Sequence, residues 1–387
     1  MTAPDPVALA SALIRCPSVT PEDAGALGVL AAALEPLGFT CRRLRFEAEG
    51  TPAIDNLYAW TGSSGPRFCF AGHSDVVPVG DTSAWHSDPF GADVKGGVLY
   101  GRGAADMKSA VAAFAAAAGR HLARHPASAI SLLITGDEEG PAINGTVKVL
   151  GWLKQQNMRI DHCLVGEPTS TARTGDTIKI GRRGSLNAVI TVRGTQGHVA
   201  YPRLALNPIP ALAELVTRIA AHRLDEGSAH FDPSTLAFTS IDTGNAATNV
   251  IPAASSARLN IRFNDLHTPD SLLQWLEDEC AATAAETGCM VELEPDVSSV
   301  SFLTAPGPFT DLIAKAAQSV TGARPLFSTS GGTSDARFIK DVCPVAELGL
   351  TNVTMHKVDE CVPIAEIEQL ALIYEKILDA YFENPPL

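Results

Sequence analysis

Along the first half of the 387-residue chain, short apolar runs alternate with amphipathic or Ala-rich stretches. Arg67–Gly72 is a brief apolar run that ends in His73-Ser74-Asp75. Ala129–Thr135 (A-I-S-L-L-I-T) shows no polar alternation and reads as a strand buried on both faces, closed by Gly136-Asp137-Glu138-Glu139-Gly140. His162–Val165 is another short strand, ending at Gly166-Glu167-Pro168. Met107–Arg124 and Gly145–Gln156 carry helical patterns between them. Strands alternating with helices predict a largely parallel sheet covered on both faces. In such sheets, polar residues at strand ends line the ligand crevice.

The pattern changes in the middle. Thr177–Val192 reads as strand with a turn, Asn207–His222 as helix, Thr235–Asp242 and Ser256–Phe263 as alternating strands, Pro269–Thr287 as helix and Met290–Glu294 as a last strand. This β-α-β-β-α-β order is a ferredoxin-like unit of about 115 residues. One face of so small a sheet needs covering, and a second subunit is a natural cover. From Pro306 the first pattern resumes, with a helix at Phe309–Val320, a Gly-rich loop at Ser330–Asp335, a strand at Val345–Leu350, a loop carrying His356 and a helix at Ile364–Phe382. The expected fold class is therefore α/β. A catalytic domain over residues 1–177 and 297–387, with a central, mostly parallel sheet between helices, is interrupted by an inserted α+β domain over 178–296.

Composition narrows the functional classes. With 29 Lys+Arg against 43 Asp+Glu the formal charge is −14. Such a chain lacks the basic face of a nucleic-acid binder and the polybasic segment of a membrane anchor. No apolar run reaches the roughly 18 residues that a membrane span needs. The start, Met1-Thr2-Ala3-Pro4-Asp5, has no basic stretch leading into a long apolar one, so no secretory signal is expected. Eight cysteines include no C-x-x-C pair and mostly sit in apolar runs such as Phe68-Cys69-Phe70. They read as reduced thiols of a cytoplasmic protein.

Five segments place a metal-type ligand after a strand or in a loop: His73-Ser74-Asp75, Ala105-Asp106-Met107, Asp137-Glu138-Glu139, Gly166-Glu167-Pro168 and Met355-His356-Lys357. Two imidazoles with several carboxylates and no thiolate suit zinc or cobalt in a site with open positions. Five ligands suggest two ions if one carboxylate is shared. His73 and Glu167 would serve one ion, His356 and Glu139 the other, and Asp106 both. Asp75, two residues from His73, is placed to hold the imidazole tautomer. Glu138, beside a ligand but free to point elsewhere, suits a general base toward an ion-activated water. Each segment alone has an ordinary reading as a turn or a solvated charge. Gly101-Arg102-Gly103 also mimics part of a dinucleotide fingerprint, but the third glycine is missing. Solvated charges, however, have no reason to collect at element boundaries on one side of a sheet.

The strings A-G-H-S-D-V-V-P, G-R-G-A-A-D-M-K, T-G-D-E-E-G, V-G-E-P and H-K-V-D-E resemble those of the co-catalytic metallopeptidase family of aminoacylases, acetylornithine deacetylases and carboxypeptidases. Further likeness lies in G-R-R-G-S (181–185), Q-G-H-V-A-Y-P (196–202), N-V-I-P (249–252) and S-G-G-T-S-D-A-R-F (330–338), so the resemblance spans nearly the whole chain. It implies a zinc-aminopeptidase-like catalytic domain, a dimerisation role for the inserted domain and closure on substrate. It also implies two Zn²⁺ (or Co²⁺) per subunit on His73, Asp106, Glu139, Glu167 and His356, with Glu138 as base and Asp75 as orienting carboxylate. His198 and Asn249 would reach across a homodimer interface, His198 to the oxygen of the tetrahedral intermediate and Asn249 to substrate. Arg182, Arg262 and Thr333 would hold substrate carboxylates. The implied reaction cleaves the small molecule N-succinyl-L,L-2,6-diaminopimelate, on the route to lysine and cell-wall precursor. Arg262, mid-strand between Ile261 and Phe263, agrees with that role because a buried guanidinium needs an anionic partner. The Gly331-Gly332 loop lets backbone amides approach an anion. A deacylase for another N-acyl amino acid such as acetylornithine, or a dipeptidase, would share the same metal site. A non-catalytic metal-binding dimer is a third reading, against which the base-like Glu138 speaks.

Overall fold

The computed structural model describes residues 2–62 and 64–386, and its contacts divide the chain into two units. One is assembled from Met1–Ile180, Thr304–Ser328 and Ser334–Leu387, the other from Gly181–Leu303 and Thr329–Thr333. The second unit thus also takes in a pentapeptide that the pattern along the chain groups with the first.

The first unit is built on an eight-stranded sheet. Its order is Thr40–Phe46, Ile54–Trp60, Ala129–Thr135, Arg67–His73, His162–Val165, Val345–Glu347, Thr177–Lys179 and Leu326–Ser328. The four central strands run parallel. All seven residues of Ala129–Thr135 are buried, as its unbroken apolar run predicts. The sheet is mixed outside this centre. Thr40–Phe46 and Ile54–Trp60 form an antiparallel hairpin that also runs against Ala129–Thr135, and Thr177–Lys179 lies antiparallel to Val345–Glu347. The hairpin was not legible because Thr40–Phe46 (T-C-R-R-L-R-F) is a mostly exposed edge, whose arginines blur the apolar alternation. Charged side chains on an edge also discourage pairing with another chain.

The Ala-rich helix Ser109–Arg124 packs against Pro6–Ile14 and against the C-terminal helix Ile364–Glu383. From Ser109 to Gly119 it is buried on every side, which its small side chains permit. Phe114 is the large exception. Its ring stacks on Phe70 at 4.3 Å between centroids, and Tyr374 meets both rings edge-on at 5.6 and 5.7 Å. The Tyr374 hydroxyl donates to the Leu348 carbonyl at 2.6 Å, so the ring is fixed at its polar end as well. This aromatic block lies under the strand that ends in His73. Gly166, just after the neighbouring strand, must be glycine for packing reasons: a Cβ there would sit 2.4 Å from Phe70 Cζ.

The second unit has a four-stranded antiparallel sheet in the order Thr235–Asp242, Ala254–Phe263, Gly184–Arg193, Met290–Ser299. Helices Pro208–Ala221 and Pro269–Thr287 pack on it, which is the β-α-β-β-α-β arrangement expected. Leu186, Ala188, Ile190 and Val192 alternate inward and meet Leu259, Ile261 and Phe263 from the next strand and Leu212, Leu215, Leu272 and Leu276 from the helices. Thr268 caps the second helix reciprocally with Ser271, and Gly288 at φ 72° ends it. Residues 197–198 and 250–251 pair as a separate two-stranded antiparallel sheet. All eight cysteines are free thiols, and no described helix is long and apolar enough to cross a membrane.

Truncating Phe114 to alanine should remove the centre of the aromatic block and cost about 3–5 kcal/mol. Urea denaturation of the first unit, followed by tyrosine and tryptophan fluorescence, checks this. A loss below about 1 kcal/mol would mean the block collapses around the gap.

Candidate metal and catalytic site

The parallel centre of the sheet delivers the site. His73 is the last residue of its strand. Asp137-Glu138-Glu139 follow Ala129–Thr135 after one glycine, and Glu167 follows His162–Val165 after another. Asp106 lies in the kinked turn Ala104–Lys108 that leads into Ser109–Arg124, and its peptide to Met107 is cis. His356 comes from the loop after Val345–Glu347 and holds a left-handed backbone, φ 60°. Positive φ at a non-glycine residue is costly and recurs where function positions a side chain.

These residues converge on Asp106. Its Oδ1 lies 3.1 Å from His73 Nε2, and its Oδ2 lies 3.2 Å from His356 Nε2. Glu167 Oε1 stands 3.6 Å from the same His73 nitrogen, and Glu139 Oε1 stands 2.9 Å from the His356 nitrogen. One carboxylate is therefore shared by two imidazoles, each flanked by a further carboxylate. Glu138 also falls within the group, its carboxylate close to His73 and Glu167.

The far side of the His73 ring decides its protonation. Nδ1 lies 2.9 Å from the backbone carbonyl of Asp75, an acceptor, so Nδ1 carries a proton and donates it there. In the neutral ring Nε2 then presents a lone pair to Asp106 and Glu167. A lone pair facing carboxylates is repulsive unless a cation stands between them. Glu167 Oε1 is also buried with no hydrogen-bond partner. Nitrogen and oxygen donors with an orphaned buried oxygen fit a divalent transition metal.

Without such an ion, protons fill the role. Burial opposes the charged form of His73, but the hydrogen bond to Asp106 and the charges of Glu167, Asp106 and Glu138 raise its pKa well above the usual histidine range. Hydrogen bonds to Asp106 and Glu139 push His356 up to about 10. Burial also works against ionisation of Asp106, yet hydrogen bonds from His356 and His73 hold it below the carboxylate range. Burial raises Glu138 and Glu167 well above that range, and neighbouring carboxylates add to the effect.

Asp75 differs in detail from the sequence expectation. Its backbone carbonyl, rather than its carboxylate, orients His73; the nearer carboxylate oxygen is 3.7 Å from Nδ1. The carboxylate instead accepts from Thr20 Oγ1 at 2.6 Å and from the Glu139 amide at 3.1 Å. It braces the loop that carries Glu138 and Glu139. The sequence also hid Asp335, a buried acid whose charge reaches Glu138. Only its place beside the Gly-rich loop hinted at it. A separate grouping of His121, His125 and Asp379 is an ion-pair network, since Asp379 is forked by Arg124 and both His121 nitrogens are engaged.

The remaining expected residues belong to the second unit. His198 lies in its small two-stranded sheet and Asn249 just before that sheet's second strand, where the Asn249 carbonyl accepts from the Val199 amide at 3.2 Å. His198 is exposed, and its Nδ1 accepts from the Ala200 amide at 3.0 Å, so the neutral ring keeps its proton on Nε2. Arg182 donates to the Gly332 carbonyl at 2.9 Å, which ties it to the pentapeptide that holds Thr333. Arg262 has no carboxylate partner among the described residues; partial burial and the neighbouring Arg183 charge disfavour its cation.

The model of peptidase family M20/M25/M40 matches residues 69–380. The chain belongs to that family. It is similar to succinyl-diaminopimelate desuccinylases of Parvibaculum lavamentivorans (60% identity, covering 98% of this chain and 96% of the relative) and Rhodospirillum centenum (59%, covering 98% of each). Among solved structures it shares its fold with aminopeptidase PepT from Bacillus cereus, at TM-score 0.79 and 20% identity over 97% of both chains. The YXEP protein of Bacillus subtilis, described as a dinuclear metal-binding peptidase of this family, superposes at TM-score 0.71 and 15% identity over 99% of this chain and 98% of that one.

The titrations above predict how the metal-free protein responds to pH. The raised pKa values of His73, His356, Glu138 and Glu167 all act in one direction. Each contributes stability that is present below its unfolded value, about 4.3 for Glu and 6.5 for His, and lost as pH rises through its folded value. The metal-free protein's Tm should therefore fall between pH 5 and 9, with a flatter profile once a divalent transition metal is added. Differential scanning calorimetry checks this; a metal-free Tm that is flat or rising would contradict it.

Proposed function

We propose that this chain is a di-zinc amidohydrolase that cleaves N-succinyl-L,L-2,6-diaminopimelate to succinate and L,L-2,6-diaminopimelate, a step toward lysine and cell-wall precursor. The observation that carries the amidohydrolase reading is the Asp106 carboxylate shared between His73 and His356, with Glu138 beside it. The choice of substrate is supported by full-length relatives of that name at 60% and 59% identity.

In this reading His73 and Glu167 would hold one ion and His356 and Glu139 the other, with Asp106 contributing to both; zinc or cobalt suits the donor set. Bound there, the ions supply Lewis acidity for the amide carbonyl and lower the pKa of a water to about 7. Glu138 takes that water's proton as its oxygen bonds to the succinyl carbonyl carbon. It then delivers the proton to the amine nitrogen as the C–N bond breaks. The enzyme acts as a homodimer in which the partner subunit supplies His198 and Asn249. His198, with its proton on Nε2, donates to the developing oxyanion, a contribution typically of about 2.7–4 kcal/mol. Arg182, Arg262 and Thr333 bind the substrate carboxylates. The chain's formal charge of −14 makes such local positive groups necessary, because the overall field repels a polyanionic substrate.

Glu138→Gln should keep both metal equivalents and lose nearly all turnover. Retention of more than about a tenth of wild-type kcat would remove the general-base assignment, since base catalysis is worth roughly 10²–10⁴-fold. Zinc titration of the metal-free protein, assayed on N-succinyl-diaminopimelate and on N-acetylornithine, tests substrate and stoichiometry together. Two equivalents and a preference for the succinyl compound are expected. Faster cleavage of N-acetylornithine would move the chain to the acetyl-specific branch.

A further inference from the structure

Arg102 and Glu360 form a buried pair that the site described so far does not use. Glu360 is 0% exposed and Arg102 3%, and Arg102 Nη1 lies 2.7 Å from Glu360 Oε2. The other carboxylate oxygen accepts two consecutive backbone amides, Ala105 N at 2.8 Å and Asp106 N at 3.1 Å. These amides belong to the kinked turn before a helix, where Asp106 has φ −125° and ψ 98° and its N–H lacks a helical partner. Glu360 supplies that partner.

The guanidinium continues the network. Arg102 Nη1 also donates to the Lys357 carbonyl at 3.2 Å, one residue after His356, and Nη2 lies 3.4 Å from the Pro78 carbonyl, in the loop that follows His73 and Asp75. The indole of Trp85 stacks under it at 5.2 Å. One ion pair therefore fastens the backbone at or beside three ligand-bearing segments.

Stability alone is a weak reason for such a pair. Burial raises the Glu360 pKa even with Arg102 against it, and a buried ion pair commonly gains little over packed apolar side chains. Apolar side chains, however, have no means of accepting two adjacent amides or reaching two carbonyls on other loops.

We propose that Arg102 and Glu360 are positioning residues that set the orientation of the Asp106 carboxylate relative to His356, and so the geometry of the shared metal site. This rests on the two-ion reading above. Removing partners behind metal ligands typically costs about 10–100-fold in affinity or activity.

The test compares wild type with Glu360→Gln and Arg102→Lys. Gln keeps one acceptor but sets an amide against the guanidinium; Lys keeps the charge but loses the fork. Metal affinity is measured by competition with a chelator, coordination by the visible absorption of the Co²⁺-loaded proteins, and kcat and KM separately. We expect at least one variant to bind the weaker ion about 10–100-fold less tightly, with a shifted cobalt band and a fall in kcat at a KM within about threefold of wild type. Unchanged affinity and an unchanged band in both folded variants, whatever their Tm, would overturn the proposal and leave the pair a structural one. The wild-type titration judges the two-ion reading separately. If it shows a single ion, that reading falls, while the variant-to-wild-type ratio at the remaining ion still decides the pair.

Discussion

Asp106 gives one carboxylate oxygen to His73 and the other to His356, and each contact is favourable only where a proton or a cation stands between nitrogen and oxygen. Glu138, Glu139 and Glu167 crowd the same volume. Burial, with neighbouring carboxylates adding to it, pushes Glu138 and Glu167 toward their protonated forms. The surrounding fold is what keeps these groups from moving apart. Parallel strands end side by side, so their loops have no room to diverge, and an aromatic block under one strand resists any shift of His73. A divalent cation held by these groups would compensate the carboxylate charge that the fold gathers there.

The elements that position the site were largely readable because their cause is local. A short, mostly apolar run such as Ala129–Thr135, closed by a glycine and a turn, suits a doubly covered strand, and acids placed just past such strands collect at one sheet end. The N-cap Thr268 and the glycine at 288 bracketed their helix by chemistry visible in the letters. What escaped reading depended on tertiary context. The hairpin Thr40–Trp60 alternates poorly because its first strand is mostly exposed and its second is buried on both faces. Arg102 stands in a Gly-rich turn and Glu360 in a charged stretch that looks solvated, and only folding reveals that 258 residues of separation close into a buried contact. Asp75 illustrates an intermediate case. Its position two residues after His73 signalled a supporting role, but whether backbone or carboxylate serves the imidazole is a matter of loop direction, which spacing does not encode.

The two units divide the chemical labour in a way their interiors make plain. The first concentrates buried acids and imidazoles at strand ends. The second carries Arg182, Arg183 and Arg262, and its sheet alternates cleanly between an apolar inner face and a polar outer one. Of these, Arg182 is buried, whereas Arg262 stands on the outer face and is only partly buried.

The pentapeptide Thr329–Thr333 has a consequence of another kind. Because it belongs with the second unit, the chain passes between the two units four times, at 180/181, 303/304, 328/329 and 333/334. A segment with two crossings can be gained, lost or exchanged in one genetic event. Here an exchange of residues 181–303 alone would leave behind Gly332, whose carbonyl Arg182 binds, and Gly331, where φ is 102° and a Cβ would sit 2.9 Å from the same guanidinium. The two stretches of gene must therefore change in step, and recombination at the obvious boundary carries a penalty that point mutation does not.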